Sequence, residues 1–309
     1  MSREPEHERE LPVGSGSIHS SGQKSGAEAV LILHSARLRI RSALPCKLPM
    51  TGLPMNTLAT LALVFAASTA APRATSPWDG TWKLDRAKSH LTGQTMTLSK
   101  AKTGKWRYSD GTISLEFALD GKPVHTIGEG TLAATADGDN ALNIVTTTKG
   151  SETRQRVVLS ADGKTMTDHT TGTRPDGSKS EGTGTMERVG TGSGFAGTWK
   201  STKTESSTSE SFGLSVIGDR IKWEWPAYKQ SLDGKMDGSD IPVTGAAASA
   251  GTTFAIRKIS ATKLSYTARI GRKVLGKGTL ELSADGKTLT DTSWTPAKPK
   301  EKASAVYMR

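Results

Sequence analysis

Two short segments of the sequence contain Gly-Lys-Thr, the residues that close a phosphate-binding loop. They are Gly163-Lys164-Thr165 and Gly286-Lys287-Thr288. A phosphate-binding loop also needs a glycine five residues before the second glycine of the motif and a helix after the loop. Val158 and Glu281 occupy the earlier positions, and no helical pattern follows. We therefore expect both segments to be hairpin turns that bind no phosphate.

Histidines and recurring aspartates are the candidates for metal binding or acid–base catalysis. His90, His125 and His169 do not have the spacing of a metal-binding motif. Asp168 and Asp291 recur after Met-Thr and Leu-Thr, where each could lie in the mouth of a barrel or face solvent. The sequence has no Gly-x-Ser-x-Gly elbow for nucleophilic catalysis. We expect no metal site, no cofactor and no catalytic residue. An enzyme built on carboxylates stays open, because such residues need no motif.

Aromatic pairs are the strongest candidates for ligand binding. Residues two apart on a strand face the same side of the sheet, so Trp106 with Tyr108 and Trp223 with Trp225 form two aromatic patches. Such a patch can form the wall of an apolar ligand cavity. Alternatively, it can fill the core of a small barrel, where aromatic side chains bury the most area. The candidate ligand-binding residues are Trp106, Tyr108, Trp223, Trp225, Tyr228 and Tyr266.

An internal repeat organises the chain. Gly80-Thr81-Trp82-Lys83 recurs as Gly197-Thr198-Trp199-Lys200, and the seven residues 159–165 recur unchanged as 282–288. Conserved order between such anchors indicates duplication. The sequence therefore predicts a first repeat at 77–190, a flexible Gly-rich linker at 191–194 and a second repeat at 195–309.

Each repeat has the pattern of an antiparallel β-protein. Apolar residues alternate with polar ones in 113–119 and 264–270, which is the period of a strand with one buried face. Asp-Gly pairs between alternating runs predict tight turns. We expect seven to nine strands per repeat, joined in an up-and-down meander that closes into a barrel. No segment has a helical period, although Leu84–His90 could form one short turn. The predicted Asp-Gly turns are Asp110-Gly111, Asp120-Gly121, Asp162-Gly163, Asp233-Gly234 and Asp285-Gly286.

The opening Gly-Thr-Trp-Lys and the closing basic residue of each repeat resemble the calycin superfamily of lipocalins and fatty-acid-binding proteins. The chain is also similar to an uncharacterised family of exported bacterial lipocalin-like proteins. The resemblance implies that the motif tryptophan packs across the closed end of the barrel beneath an arginine of the last strand. It implies the pairs Trp82 with Arg188 and Trp199 with Arg309, in a structural role. The sequence lacks the helical lid and the Arg-x-Tyr of the fatty-acid-binding proteins.

A leader for export precedes the repeats. The apolar run Leu58–Ala67 is too short to span a bilayer and is followed by small residues suited to cleavage near Ala70. We interpret 55–76 as a signal peptide and short linker, and 1–54 as a non-globular extension that reflects an overextended start. The single cysteine, Cys46, lies in that extension. We expect a periplasmic or secreted product without a transmembrane segment.

The part of the chain that we expect to be exported is basic, and two functions are compatible with this charge. Residues 71–309 contain 34 Lys and Arg against 25 Asp and Glu, so their net charge is about +9. The preferred hypothesis is a non-enzymatic, lipocalin-like protein that binds a small apolar or amphipathic ligand. The alternative is a filled-core structural or interaction module of the cell envelope, whose basic surface contacts anionic polymers. We expect a two-domain monomer, and no nucleic-acid partner.

Overall fold

The structure is a computed structural model that describes residues 76–309. The upstream extension predicted for 1–54 lies outside the described residues, as does all of the predicted signal peptide and linker except Ser76. The described residues form twenty-one β-strands and one three-residue 3-10 helix, Pro226–Tyr228. The predicted all-β class is confirmed.

The strands alternate along the chain with tight turns. Those within the first repeat are β1 (Gly80–His90), β2 (Thr95–Lys100), β3 (Trp106–Ser109), β4 (Ser114–Phe117), β5 (Val124–His125), β6 (Thr131–Ala136), β7 (Ala141–Thr148), β8 (Ser151–Leu159), β9 (Thr165–Thr173) and β10 (Lys179–Ser193). Those that follow are β11 (Ala196–Ser206), β12 (Ser211–Ile217), β13 (Arg220–Trp225), β14 (Gln230–Lys235), β15 (Asp237–Pro242), β16 (Thr244–Gly245), β17 (Thr252–Lys258), β18 (Lys263–Ile270), β19 (Lys273–Leu282), β20 (Thr288–Trp294) and β21 (Ala303–Met308).

The strands form two antiparallel sheets, each of which curls into a nearly closed barrel. The ten-stranded sheet has the order β4-β3-β2-β11-β10-β9-β8-β7-β6-β5. The eleven-stranded sheet has the order β15-β17-β18-β19-β20-β21-β1-β12-β13-β14-β16. Short strands such as β5 and β16, of two residues each, raise the numbers above the predicted seven to nine.

The two repeats exchange their first strands. β1 opens the first repeat, but it pairs with β12 and β21 in the eleven-stranded sheet. β11 opens the second repeat, but it pairs with β2 and β10 in the ten-stranded sheet. The ten-stranded sheet is therefore built from residues 95–206, and the eleven-stranded sheet from 80–90 together with 211–308. These ranges differ from the repeat boundaries of 77–190 and 195–309.

The segment 191–194 takes part in this exchange. β10 continues to Ser193, which pairs with Ala196 at the start of β11. Residues 191–193 of the predicted flexible linker thus belong to β10, and Gly194, at a φ of 54°, lies in the hairpin turn that follows. Because the turn is short, β11 is held directly beside β10.

One local prediction was wrong, and one local alternative is not adopted. Asp233-Gly234 lies inside β14 and not in a turn. A side chain at Gly234 would place its Cβ 2.6 Å from the Ile241 Cγ1, so the glycine allows β14 and β15 to approach where this barrel nearly closes. The segment Leu84–His90, for which the sequence left one helical turn open, is instead the second half of β1, whose register shifts between Asp85 and His90. Pairing with β21 overrides the weak local preference.

Apolar cores fill both barrels. In the eleven-stranded barrel one continuous core includes Trp82, Ile221, Leu232 and Leu289, all completely buried. In the ten-stranded barrel one cluster surrounds Ile113 and Phe117, and a second surrounds Trp199 and Met166. The alternating strand pattern predicted this inward face.

The loop between β20 and β21 joins the two barrels. The Lys298 ammonium donates to the carbonyl oxygen of Thr95 at 2.6 Å, and the Glu301 carboxylate accepts the Thr95 N–H at 2.7 Å. The barrels are therefore in direct polar contact.

Candidate functional site

The Gly-Thr-Trp-Lys motif closes one end of each barrel. Trp82 and Trp199 are completely buried, and each indole N–H donates to a carbonyl four residues earlier, those of Trp78 and Phe195, at 3.0 Å. The guanidinium carbon of Arg309 lies 5.1 Å from the centre of the Trp82 ring. That of Arg188 lies 4.2 Å from the Trp199 ring. Both pairs have the geometry of a cation–π interaction.

These partners correct the pairing that the resemblance implied. We expected Trp82 under Arg188 and Trp199 under Arg309, whereas the structure pairs Trp82 with Arg309 and Trp199 with Arg188. The physical reason is the strand exchange, which carries each motif tryptophan into the other barrel. In either pairing, an arginine stacks on the motif tryptophan, so the structural role expected for these four residues is unchanged by the correction.

The motif glycine makes room for the arginine. Gly80 has a φ of 144° and Gly197 a φ of 152°, which a residue with a side chain rarely adopts. A Cβ on Gly197 would lie 2.4 Å from an Arg188 nitrogen, and a Cβ on Gly80 would lie 2.9 Å from the Arg309 Cδ. Any larger residue would displace the guanidinium from the indole.

The repeated heptapeptide is the third part of the closure. The side chain of Arg188 donates to the Gly163 carbonyl at 2.7 Å and to the Ala196 carbonyl at 2.6 Å. In the other barrel, Arg309 donates to the carbonyls of Gly286 and Asp79, both at 2.7 Å. Each arginine thus connects the glycine of the heptapeptide turn to the residues at the start of the strand that contains Gly-Thr-Trp-Lys.

The same turns contain the two Gly-Lys-Thr segments. In the first, the Asp162 carboxylate accepts the Ser160 hydroxyl at 2.6 Å and the Lys164 amide at 3.0 Å, and these contacts lower the pKa of Asp162. Ser283 and Asp285 repeat the arrangement in the second. The backbone amides that would hold a phosphate are occupied, so both segments are the predicted hairpin turns.

We expect the hydrogen bonds of the Arg188 guanidinium to contribute measurably to the stability of the fold. We expect Arg188→Lys to lower the free energy of unfolding by about 2 kcal/mol, because one ammonium cannot reach the several carbonyls that the guanidinium bonds. Urea denaturation measures the change. The matched control is Arg107→Lys, since Arg107 is half exposed and its one ion pair within residues 76–309 is with Glu116. Its change in the free energy of unfolding should stay under about 0.5 kcal/mol. Equal effects would contradict the closure role.

The predicted ligand residues of the second repeat lie inside the eleven-stranded barrel. The rings of Trp223 and Trp225 are 4.8 Å apart, and Phe254 lies 5.9 Å from both. Tyr266 lies 6.1 Å from Trp223. Tyr228 is buried, and Arg174 of the other barrel lies 5.6 Å from its ring. These side chains contact one another as a packed aromatic cluster.

The predicted pair of the first repeat lies inside the ten-stranded barrel. Trp106 and Tyr108 are partly buried and pack against both apolar clusters of that barrel. Trp106 meets Phe195 edge to face at 6.5 Å. Burial, followed by the nearby Asp110 carboxylate, raises the pKa of Tyr108 well above its ordinary value. Both aromatic pairs therefore face inward, as the two-residue spacing predicted.

The two recurring aspartates have different surroundings. The Asp291 carboxylate accepts the Tyr266 hydroxyl at 2.9 Å inside the barrel. Burial, and then the Asp291 charge, raises the pKa of Tyr266 well above 10.0. Asp168 accepts the Thr170 hydroxyl at 3.0 Å and lies over Gly184, where a Cβ would come within 2.2 Å of its Oδ1.

The buried tyrosines predict alkaline unfolding. Because Tyr108 and Tyr266 are held neutral in the folded state, unfolding releases their protons once the pH exceeds about 10, and stability falls as the pH rises further. We expect their tyrosinate absorbance to appear together with unfolding and not before it. An ultraviolet titration alongside circular dichroism measures both events, and Tyr266→Phe should reduce by one the number of tyrosines that ionise only on unfolding. Titration of all four tyrosines near pH 10 in folded protein would contradict burial.

The predicted histidines do not converge. His169 lies 2.9 Å from the Glu181 carboxylate on the outer surface of β9 and β10. His90 ends β1, and His125 is exposed in β5. In the part of the chain that the structure describes, no three His, Cys, Asp or Glu side chains are grouped to hold a metal ion.

Sequence reasoning missed a basic groove on the outer face of β17–β20. The groove encloses about 330 Å³ and is lined by Gly238, Ala255, Arg257, Ser265, Tyr266, Thr267, Arg269, Lys277, Gly278, Thr279 and Trp294. Leu264, Leu280 and Leu289 point into the barrel, so their neighbours along each strand face outward into the groove.

Two cations in the groove have no acidic partner. Arg269 is ion-paired with Asp240, whereas neither Arg257 nor Lys277 forms an ion pair within residues 76–309. The Arg257 guanidinium lies over Gly238, where a Cβ would be 2.5 Å from its Nη2. Lys277 is exposed and is the cross-strand neighbour of Trp294. The groove can therefore bind an anion.

A signal for this groove was present in the sequence. Residues 251–309 contain 12 Lys and Arg against 4 Asp and Glu, a net charge of +8. Residues 71–250 contain 22 against 21. The excess charge of residues 71–309 is thus concentrated in residues 251–309, and a count along the chain would have located it.

Comparison of the chain with protein-family models, with curated proteins and with solved structures finds no match. Within residues 76–309, no helix is both long enough and apolar enough to cross a membrane.

Proposed function

We propose that this chain is an exported, non-enzymatic interaction module of the cell envelope that binds an anionic polymer on the outer face of β17–β20. The observation that carries the proposal is the groove in which Arg257 and Lys277 are exposed without an acidic partner in the described chain. The aromatic side chains expected to line an internal cavity pack against one another, which supports a site on the outer face.

Charge supports the same surface. A region with +8 of net charge attracts polyanions over distances comparable to the Debye length, and salt weakens that attraction. Export, which the predicted leader implies, would bring the protein to the anionic polymers of the envelope.

Neutralising the groove tests the proposal. We expect Arg257→Gln with Lys277→Gln to weaken binding to poly-L-glutamate about tenfold at low salt, because each cation contributes up to about 1 kcal/mol. Titration calorimetry measures the affinity. The matched control is Arg154→Gln with Lys203→Gln, which removes the same charge from the other barrel. Equal weakening in both variants would show that binding follows net charge, and absence of binding to any polyanion would refute the proposal.

One observation favours a small ligand inside the eleven-stranded barrel. Gln230 is buried, and neither its amide oxygen nor its amide nitrogen has a described partner; the same is true of the Trp223 indole N–H. Unpaired buried groups of this kind often bind water or a ligand. Fatty acids, retinoids or haem that bound there would quench tryptophan fluorescence and raise the melting temperature. If none of these compounds had either effect, the binding of a small ligand inside the barrel would be refuted.

A further inference from the structure

We propose that the polymer held in the β17–β20 groove is an acidic polysaccharide, with one sugar ring against Trp294 and its carboxylates on Arg257 and Lys277. This inference rests on the proposed function and specifies its ligand class. It depends on the aromatic and hydroxyl groups that accompany the two cations.

Trp294 gives the groove an apolar surface that a simple polyanion does not need. Its indole lines the groove beside Lys277, and the Lys302 ammonium lies 5.0 Å from the ring centre. A sugar ring has an apolar face of C–H groups that can pack on an indole, while its carboxylate meets the adjacent ammonium groups. Polyphosphate and poly-glutamate have no such face.

Hydroxyl groups occupy the positions between the cations. Ser265 lies between Arg257 and Thr279 across the strands, and Thr267 is the neighbour of Lys277. These residues can donate and accept hydrogen bonds, so they suit the hydroxyl groups of a sugar. A ligand that carried charge alone would leave them hydrogen-bonded to water.

The dimensions of the groove favour a chain over a single sugar. Four strands at about 4.8 Å spacing span roughly 14 Å from β17 to β20. Arg257 and Lys277 are two strands apart, or about 10 Å across the sheet. A polymer with one carboxylate on each sugar can place the carboxylates of two non-adjacent sugars at such a separation. The groove therefore fits a short stretch of such a chain.

A nucleic acid is the competing macromolecule. Single-stranded nucleic acids are bound by several aromatic side chains on which successive bases stack. Trp294 is the one aromatic side chain of the groove that faces outward, because Tyr266 points into the barrel toward Asp291. The groove therefore favours the polysaccharide, and a DNA oligomer is included in the test.

The experiment compares an oligogalacturonate with poly-L-glutamate of matched charge, using the whole exported chain and its Trp294→Ala variant. We expect the variant to bind oligogalacturonate about tenfold more weakly, as the loss of one aromatic contact implies, and to bind poly-L-glutamate within about twofold of the parent. Trp294→Phe should retain part of the affinity. Because Trp294 lies near the junction of the barrels, circular dichroism checks folding. Thr267→Val and Thr279→Val test the hydroxyl contacts if Trp294→Ala does not fold.

The outcomes separate the two proposals. Equal binding of both polymers, with equal losses in the Trp294 and threonine variants, would overturn the polysaccharide assignment and leave the polyanion function intact. Tighter binding of a DNA oligomer than of oligogalacturonate would overturn it in favour of a nucleic acid. No binding of any of these polymers would refute the proposed function itself.

Discussion

Trp199→Ala is expected to unfold the ten-stranded barrel, although Trp199 belongs to the second sequence repeat. Trp82→Ala is expected to unfold the eleven-stranded barrel, although Trp82 belongs to the first. Both tryptophans are completely buried, and truncating such a residue to alanine costs about 3–5 kcal/mol. That is a large part of the 5–15 kcal/mol by which a typical domain is stable.

Hydrogen exchange followed by mass spectrometry locates the damage. In Trp199→Ala, amide protection should fall first in 131–173, the strands β6–β9. In Trp82→Ala it should fall first in 212–293, the strands β12–β20. The two variants make the same chemical change, so each is the control for the other. The reverse assignment would show that each repeat retains its own first strand.

Strand complementation is the second expected result. A fragment of residues 91–209 should fold alone, because it contains every strand of the ten-stranded sheet together with Trp199 and Arg188. A fragment of residues 210–309 should not, because without β1 the strands β12 and β21 have unpaired edges and the space of Trp82 is empty. Addition of a peptide of residues 76–92 should restore its folding.

Circular dichroism and the dispersion of amide NMR signals report folding in each case. The peptide with Trp82→Ala is the matched control, and it should complement at least about tenfold less well, since it fills the edges but not the core. Cooperative folding of 210–309 without any peptide would contradict the exchange of strands. So would failure of the 91–209 fragment to fold.

The repeat and its exchange together have a consequence for assembly. β1 and β11 share the residues Gly-Thr-Trp-Lys, so either strand carries the side chains that close a barrel. The hairpin turn at Gly194 keeps β11 beside β10, since a short connection costs less chain entropy than a long one. β1 then takes the remaining place between β12 and β21. The two barrels are thereby linked by a shared chain as well as by the contacts of Lys298 and Glu301.

The proposed polymer groove and the closed ends are separate surfaces. The closing residues Trp82 and Arg309 belong to the end of the barrel that contains the Gly286 turn. The groove lies on the outer face of β17–β20, with Trp294 toward the other barrel. Variants that weaken the closure and variants that neutralise the groove can therefore be compared in one protein.

The sequence alone determined the local structure. Two-residue alternation predicted which side of a strand faces the core, because strand side chains alternate between the two faces whatever the partner strand. The repeated heptapeptide predicted its turn, because the contacts of Ser160, Asp162 and Lys164 lie within five residues of one another. The tryptophan and arginine of the closure were predicted as residues, though not as pairs.

Only the tertiary structure decided which residues meet across the chain. Two identical motifs compete for the same edges, so no local pattern assigns Trp82 to Arg309 and Trp199 to Arg188; the hairpin between β10 and β11 does. Asp233-Gly234 has the sequence of a turn but becomes part of a strand because Ile241 packs against the glycine. Likewise, Arg257, Lys277 and Trp294 are spread over 38 positions, and the pairing of β17–β20 brings them into one groove.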